Sequence, residues 1–419
     1  MKLAILKHKL IKQSAIYVTF DGLNKIVPFL MLPILTRYLS TEEYGIVAMF
    51  IVLVSFLAVF AGISVHGSVN VNYFRMQKDE FRKYISNVFI VLIFSTLITA
   101  CALSFITDWI FAISNIPTIW IWISLLIAAS QFITLINLVL WQAEQRAVFY
   151  GIYSFIQIVL NAGISIILVV QYEYGWIGRL SGISITTIIM ACISIILIYK
   201  RGYIKFNLNS DHQREILHFG IPVIPHVLAG WATIAIDRLL LSIFLGVSAT
   251  GIYTVGHQVG MMVSIIAASF SRAYTPHIYK KLETADLNEK RRIVKHTYYY
   301  FFIILLLALF LGVLAYNYLY LFVGLSFVDS SKVVPLVALG SAFTGMYFIV
   351  NTYIFYMKKT ILLSYSTLIG SFVHVLLSYY LIQNMGIIGA ALASAISGFL
   401  IFILTWLLSM RVYKMPWFK

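Results

Sequence analysis

Long stretches without a charged residue constrain this 419-residue chain more than any other feature. No Lys, Arg, Asp or Glu occurs from Ile361 to Met410, and the runs 239–271 and 296–328 are equally free of charge. A helix needs about 20 apolar residues to cross roughly 30 Å of hydrocarbon. These runs lack the alternation of strands, and helices satisfy their own backbone hydrogen bonds in lipid. We therefore predict an all-α integral membrane protein.

The composition leaves too few charges for a water-soluble shell. Hydrophobic residues make up 61% of the chain, charged residues make up 11%, and the mean hydropathy is +0.93. Soluble domains carry about 25% charged residues, so much of this surface must face lipid. Cys101 and Cys192 lie within apolar runs and show neither disulfide nor metal-ligand spacing. We expect them to be small core residues, and we predict no cofactor.

The runs divide into about twelve spans, joined by connections of which 200–216 and 273–296 are the longest polar ones. The predicted spans are 14–36, 44–66, 84–106, 118–140, 148–171, 176–199, 217–245, 251–272, 297–323, 332–356, 361–382 and 387–410.

Lys and Arg alternate between connections in a way that predicts the orientation. Twenty-five of the 30 lie at the termini and in every second loop, and the opposite loops hold only Arg37, Arg179 and Lys332. By the positive-inside rule, both termini and all the basic loops are cytoplasmic. The net charge of +15 is then a topology signal together with attraction to anionic membrane lipids, and no nucleic-acid partner is predicted.

Two short segments recur in the second half of the chain. Leu39–Ile46 aligns without gaps on Leu245–Ile252, and Gly175–Gly178 aligns on Gly386–Gly389, each pair at the same place in its half. We predict two six-helix bundles related by a parallel pseudo-twofold repeat, as in many transporters. Their predicted limits are 1–199 and 217–419, with a cytoplasmic linker at 200–216.

Ionisable residues inside spans are functional candidates, because each costs at least a few kcal/mol unless it faces water or a partner. Asp21 and Lys25 are four residues apart and share a helical face. Lys25 could contact an anion in a central cavity, or the two could form a self-neutralised pair against neighbouring helices. Asp237 and Arg238 point about 100° apart, so one could pair with another span, or Arg238 could snorkel to the interface. Asp21 and Asp237 are the candidates for ion coupling.

The remaining candidates are cations near span ends and histidines within spans. His66 and Arg272 lie 206 residues apart, the offset of the first repeat match, and would stand at the cytoplasmic mouth of a cleft. His226, His257 and His374 lie within spans and could be ligands, carry protons or act as hydrogen-bonded packing residues. The residues predicted to bind an anionic substrate are Lys25, His66, Arg75, Arg146, Arg238 and Arg272. The sequence holds no nucleophile elbow, no P-loop and no metal-spaced cluster, so no enzyme is predicted.

Three segments resemble bacterial polysaccharide flippases. Asp237–Tyr253 carries their DR…LG…GxY pattern, Leu32–Gly45 matches in the first half, and Gly386–Ala393 matches their penultimate loop and last span. Over essentially its whole length the chain is similar to a Wzx-type O-antigen flippase of the multidrug/oligosaccharidyl-lipid/polysaccharide exporter superfamily. A peptidoglycan-precursor flippase would usually have two more spans and more lumenal arginines.

This resemblance implies the movement of an undecaprenyl-diphosphate-linked oligosaccharide from the cytoplasmic to the periplasmic leaflet of the bacterial inner membrane. It further implies a cationic lumen, alternating access and coupling to an ion gradient. Membrane lipids, an O-antigen polymerase and a chain-length regulator are the implied partners.

Two other functions stay open. A multidrug exporter of the same superfamily would need an acidic or apolar cavity for organic cations, whereas two acids and two bases lie within the spans here. An O-antigen polymerase or ligase would need a large periplasmic loop, and every predicted outer loop is short.

Overall fold

The computed structural model describes residues 2–284 and 286–417, and this part of the chain is built from α-helices joined by short connections. The helices are α1 Lys2–Tyr38, α2 Thr41–Phe60, α3 His66–Arg75, α4 Lys78–Ser104, α5 Thr107–Ser114, α6 Thr118–Ala143, α7 Ala147–Ile166, α8 Gly175–Lys200, α9 Ser210–Gly220, α10 Ile224–Leu245, α11 Val247–Gly260, α12 Met262–Thr284, α13 Leu287–Tyr318, α14 Val334–Tyr356, α15 Ile361–Met385 and α16 Ile387–Val412. A π-helical turn, Ile167–Gln171, extends α7, and 3-10 turns occupy Ile221–Val223, Leu319–Leu321 and Leu325–Lys332.

The helices follow the predicted spans closely. Eleven helical segments within the described residues are long and apolar enough to cross a membrane, so the chain is a multi-pass membrane protein. The predicted all-α membrane fold is confirmed. The first predicted span, 14–36, lies within α1, which is not among the eleven segments found in the described residues. That span stays a prediction.

The second predicted span, 44–66, is interrupted where the sequence suggested an unbroken helix. α2 ends at Phe60 and α3 begins at His66, and three successive residues between them have positive φ: Gly62, Ile63 and Ser64. The Gly62 N–H donates to the Ser95 hydroxyl at 3.0 Å, and a Cβ at Gly62 would overlap the ring of Phe132. The left-handed backbone and the close ring both require glycine there.

The chain forms two compact units. Unit 1 comprises Met1–Leu39 and Ile46–Trp231, and unit 2 comprises Ser40–Gly45 and Ala232–Lys419. In unit 1, α7 packs on α1 and α8, while α6 packs on α8 and α3. In unit 2, α14 is central and contacts α11, α12, α13 and α16, and α15 packs on α16. The bundle limits predicted from the sequence stay a prediction.

Small residues allow the helices of unit 2 to approach closely. Ala338 and Ala342 on α14 are fully buried in a cluster with Phe301 of α13 and Phe402 of α16. A Cβ at Gly340 would lie 3.1 Å from the Cα of Ala395. Helices in membranes associate through such close packing, because lipid provides no hydrophobic drive between them.

The first repeat match proves to be a crossing of two helix starts within unit 2. A Cβ at Gly45 would overlap the carbonyl oxygen of Val247, and a Cβ at Gly251 would overlap that of Thr41. The hydroxyls of Thr41 and Ser248 are 2.6 Å apart. Glycine is therefore required in both copies, because no larger residue fits the crossing.

The expectation that both cysteines are core residues is wrong. Cys101 on α4 and Cys192 on α8 are both exposed on their helices. In a membrane protein an apolar helix face can be turned to lipid, so hydrophobicity alone does not distinguish the core from the outer surface.

Candidate functional site

A buried carboxylate lies where α10, α11 and α15 of unit 2 meet. Asp237 is only 3% exposed. Its Oδ2 accepts a hydrogen bond from the Tyr253 hydroxyl at 2.7 Å, and its Oδ1 accepts one from the Ser378 hydroxyl at 2.6 Å. Both donors are themselves fully buried. Two short hydrogen bonds from neutral hydroxyls stabilise the carboxylate without adding a compensating charge.

His374 completes this group from α15, one turn before Ser378. Its Nε2 lies 3.4 Å from Asp237 Oδ1, and its Nδ1 lies 3.1 Å from the Ser397 hydroxyl on α16. Nε2 has no aligned hydrogen-bond partner among the described residues, so its contact with the carboxylate is a close approach. Proton uptake by this imidazole would neutralise the carboxylate, and proton loss would restore a buried negative charge. We call Asp237, Tyr253, His374, Ser378 and Ser397 the carboxylate cluster.

Arg238 leaves α10 on a different side from its neighbour, as adjacent helical residues must. Its Nη1 donates to the Ile234 carbonyl oxygen at 2.8 Å, and its Nε donates to the Thr254 hydroxyl at 3.3 Å. Its Nη2 lies 3.4 Å from Nδ1 of His257 on α11. The guanidinium is therefore partly buried between α10 and α11, and Asp237 pairs with α11 and α15. The role of Arg238 in binding an anion stays a prediction.

In unit 1, Asp21 and Lys25 face each other as their spacing predicts. Lys25 Nζ lies 3.2 Å from Asp21 Oδ2, and the two side chains are 35% and 40% exposed. Asn24 between them donates to the Ser154 hydroxyl at 3.1 Å, which ties α1 to α7. The ion pair is therefore established, and its position in a lumen stays a prediction.

Of the other predicted substrate-binding residues, three lie at helix ends and Arg272 lies in the middle of α12. His66 is half-buried at the start of α3, Arg75 is exposed at its end, and Arg272 is exposed on α12. Arg146 lies between α6 and α7, where its Nε contacts Glu144 Oε2 at 3.2 Å. Of the six cations predicted to bind substrate, Lys25, His66, Arg75 and Arg146 belong to unit 1, and Arg238 and Arg272 belong to unit 2.

Sequence reasoning missed several members of the clusters. Tyr253 appeared only as the tyrosine of the DR…LG…GxY pattern. Ser378 and Ser397 were not singled out, although Ser378 follows His374 by four residues and so shares its helical face. Two further residues were not singled out: Glu144, which contacts Arg146, and Arg201, whose Nη1 lies 3.3 Å from Glu144 Oε1. No group of three or more His, Cys, Asp and Glu side chains that could hold a metal occurs among residues 2–284 and 286–417.

The chain is similar to known proteins over most of its length. A family model described as polysaccharide biosynthesis protein matches residues 10–281. The Lsg locus putative protein 1 of Haemophilus influenzae is 23% identical over 378 residues, which are 88% of this chain and 90% of that protein. An uncharacterized membrane protein of the same organism is 22% identical over 369 residues, covering 87% of this chain and 88% of the relative.

Solved structures give the fold. The lipid II flippase MurJ in an inward closed conformation matches with a TM-score of 0.77 and 19% identity, over 94% of this chain and 87% of that one. An inward-facing multidrug resistance transporter of the MATE family in the MOP superfamily matches with a TM-score of 0.67 and 14% identity, over 96% of this chain and 98% of that one. The predicted resemblance is thus confirmed at the level of family and fold. Because the family model matches more than half of the chain, the protein belongs to the polysaccharide biosynthesis protein family and has the fold of the flippases and multidrug transporters of the MOP superfamily.

Proposed function

We propose that this protein moves an undecaprenyl-diphosphate-linked oligosaccharide, the O-antigen repeat unit, from the cytoplasmic to the periplasmic leaflet by alternating access. The observation that carries the proposal is the carboxylate cluster, an ionisable group buried among membrane-spanning helices in a member of a polysaccharide biosynthesis family. Buried intramembrane charges are costly and typically mark transport pathways. The family and the flippase-like fold support a lipid-linked glycan as the cargo.

Six basic residues are proposed to receive the diphosphate during transport. A diphosphate cannot cross hydrocarbon unaided, and a positively charged cavity lowers the energy of its charge while the polyprenyl tail stays in lipid. Lys25 is partly exposed beside Asp21, which leaves its ammonium both accessible and partly neutralised. Partial neutralisation favours weak binding, which release on the other side requires. The proposed substrate-binding residues are Lys25, His66, Arg75, Arg146, Arg238 and Arg272.

Asp237 is the stronger of the two candidates for ion coupling. Asp21 is 40% exposed and already faces the ammonium of Lys25, so proton binding would have to displace an ion pair. Asp237 is buried against two neutral hydroxyls and a titratable imidazole. We propose that a proton held between Asp237 and His374 resets the inward-facing state, and that the coupling gradient is therefore a proton gradient.

The orientation proposed from the basic loops places both termini in the cytoplasm and the protein in the bacterial inner membrane. Single cysteines introduced in place of Lys414 and Glu173, on a background lacking Cys101 and Cys192, test this with a membrane-impermeant maleimide. Labelling of Glu173→Cys but not Lys414→Cys in intact spheroplasts is the expected result. The reverse pattern would overturn the orientation. An O-antigen polymerase and a chain-length regulator are the proposed protein partners.

The function is tested by complementation in a bacterium that lacks its own flippase and makes the matching lipid-linked glycan. Wild type should restore surface glycan, whereas Lys25→Ala and Asp237→Asn should not, at equal membrane abundance. Lys332→Ala and Asp329→Asn are the matched controls, because these residues form an exposed ion pair of 2.7 Å in a loop between α13 and α14. Failure of wild type with a confirmed lipid-linked substrate would overturn the flippase proposal.

A multidrug exporter is the second candidate, because the inward-facing MATE transporter shares the fold over 96% of this chain. Ethidium efflux from cells expressing the protein distinguishes the two. Efflux that depends on Asp237, together with no glycan complementation, would favour the exporter. Glycan complementation without efflux would favour the flippase.

A further inference from the structure

A second polar site lies at one end of unit 1, outside the spans. A cavity of about 670 Å³ opens where the α3–α4 connection, the α6–α7 turn and the chain after α8 come together. It is lined by three cations, Lys78, Arg146 and Arg201, and by one carboxylate, Glu144. The rings of Tyr73, Phe81 and Tyr203 form its aromatic wall. We call it the loop cavity.

Glu144 organises the loop cavity. Its Oε1 accepts a hydrogen bond from the Tyr203 hydroxyl at 2.5 Å, and Nη1 of Arg201 lies 3.3 Å from the same oxygen. Its Oε2 lies 3.2 Å from Nε of Arg146. The carboxylate is only 11% exposed. One nearly buried anion therefore holds two guanidinium groups from different connections in place.

Arg201 is fixed in position before any ligand arrives. Its Nη2 donates to Oδ1 of Asn137, and its guanidinium carbon lies 5.0 Å from the ring centre of Trp141 and 5.4 Å from that of Tyr203. Burial lowers the pKa of Arg201 from its usual range and Glu144 opposes this, but an arginine remains charged at neutral pH. Burial and Glu144 both raise the pKa of Tyr203, so its phenol stays protonated as the donor. The site is thus preorganised around a permanent positive charge.

Arg146 offers the accessible charge. Its side chain is 53% exposed, its Nε contacts Glu144, and its guanidinium carbon lies 5.7 Å from the ring centre of Phe149. Lys78, in the first turn of α4, is exposed and also lines the cavity. Three cations face one carboxylate, so the loop cavity carries an excess of two positive charges.

We propose that the loop cavity binds a phosphate ester, held by Arg146 and Lys78 against the fixed guanidinium of Arg201. Guanidinium forks match the geometry of phosphate oxygens, and cations from three connections can contact a tetrahedral anion from different directions. The volume lies in the range of small-molecule sites, between about 300 and 1,000 Å³. The aromatic rings offer flat apolar faces to the carbon skeleton next to the phosphate.

Two sources share this chemistry, the headgroup of an anionic lipid and a soluble sugar phosphate. This proposal depends on the proposed function in one respect only, namely the side of the membrane that the cavity faces. The basic loops predict that this side is cytoplasmic. Binding is therefore measured on the purified full chain in detergent, where neither transport nor orientation enters.

The experiment titrates the protein with short-chain phosphatidylglycerol and, separately, with glucose 1-phosphate, and reads the dissociation constant by calorimetry. Arg146→Gln should weaken binding by about tenfold, because it removes a hydrogen bond between a charged donor and a charged acceptor. Lys78→Gln combined with Arg146→Gln should weaken it by roughly 100-fold. Lys200→Gln is the matched control, because it removes an exposed cation next to Arg201 that does not line the cavity. Thermal unfolding confirms that each variant is folded.

Each outcome decides the proposal. The proposal is supported if either probe binds and this binding is lost in Arg146→Gln and kept in Lys200→Gln. Binding of phosphatidylglycerol alone identifies the ligand as a lipid headgroup. Binding of glucose 1-phosphate identifies it as a phosphate that needs no lipid. No binding of either probe, or equal affinity in wild type and Arg146→Gln, overturns it. Surface-glycan complementation by wild type is scored in parallel, so that failure of the loop-cavity proposal is distinguished from failure of the flippase proposal.

Discussion

The two halves of the chain share two short sequence matches but differ in where they bury charge. The first match has an offset of 206 residues and the second an offset of 211, so Asp237 of unit 2 corresponds to Met31 of unit 1, and His374 corresponds to Gly163. Met31 is a buried apolar side chain, whereas Asp237 is a buried carboxylate. The carboxylate cluster is therefore a property of unit 2 and not of the repeat.

The helix contacts differ in the same way. In unit 1, α1 and α7 pack closely, and a Cβ at Gly151 would overlap the ring of Phe20. In unit 2, the equivalent helices α10 and α15 are joined by hydrogen bonds of Ser378 to Asp237 and of Thr233 to Ser371. Apolar packing and a hydrogen bond between the neutral side chains of Asn24 and Ser154 join α1 to α7, whereas the contacts between α10 and α15 include a hydrogen bond to a carboxylate. We expect unit 2 to hold the element that responds to an ion.

The largest effect should follow from removing the charge in unit 2. Asp237→Asn keeps the side-chain volume but removes the carboxylate that is proposed to hold the coupling proton, so glycan transport should fall by roughly 100-fold, as is typical when a group that transfers a proton is removed. Met31→Leu at the corresponding position should leave transport within about twofold, because volume-conserving swaps usually cost less than about 1.5 kcal/mol. Rates of surface-glycan appearance measure both. Equal losses in the two variants would show that the units do not differ in this respect.

An intermediate effect should come from glycines of the two units. Gly251→Ala places a Cβ against the carbonyl oxygen of Thr41, which should lower the free energy of unfolding by about 1–3 kcal/mol. Gly163 has no atom within 4 Å of its added Cβ, so Gly163→Ala should raise it by about 0.5–1 kcal/mol through helix propensity. Thermal unfolding in detergent compares the two variants. A destabilised Gly163→Ala would mean that a neighbouring side chain occupies the space beside this glycine.

The smallest effect is expected for the ion pair of unit 1. A double-mutant cycle of Asp21→Asn and Lys25→Gln should give a coupling of about 0.3–0.5 kcal/mol, since partly exposed i, i+4 pairs contribute little. The double-mutant cycle of Asp237→Asn and Tyr253→Phe should give a larger coupling free energy, because a buried hydrogen bond to a charged group contributes about 1.5–3 kcal/mol. Unfolding free energies in detergent provide both values. A stronger coupling in unit 1 would reverse the proposed contrast.

The fold was predictable from the sequence because membrane spans are long and uniform. Spans such as 361–382 and 387–410 nearly coincide with α15 and α16, since their limits follow from where charges and the Gly386 turn occur. The break between α2 and α3 was not predictable. Isoleucine and serine, the residues at 63 and 64, do not indicate a left-handed backbone, and a single glycine such as Gly62 is common in membrane helices.

The candidate site was predictable only in part. Asp237 and His374 stood out because ionisable residues are rare within spans, but the hydroxyls around them did not, because serine and tyrosine are common there. A helix that is apolar on all sides does not reveal its rotation from periodicity, so the partners of Asp237 could not be identified. The cluster around Glu144 depends on three connections far apart in sequence, at 78–81, 144–146 and 201–203.

The crossing of Gly45 and Gly251 has a symmetry of its own. Under the 206-residue offset Thr41 corresponds to Val247, so the contact of Gly45 with Val247 and the contact of Gly251 with Thr41 are the same contact made twice in opposite directions. Reciprocity of this kind defines an isologous interface, the type found in twofold homodimers. A six-span protein carrying this one segment would thus be self-complementary there, and two identical chains could form the crossing that a single duplicated chain forms here.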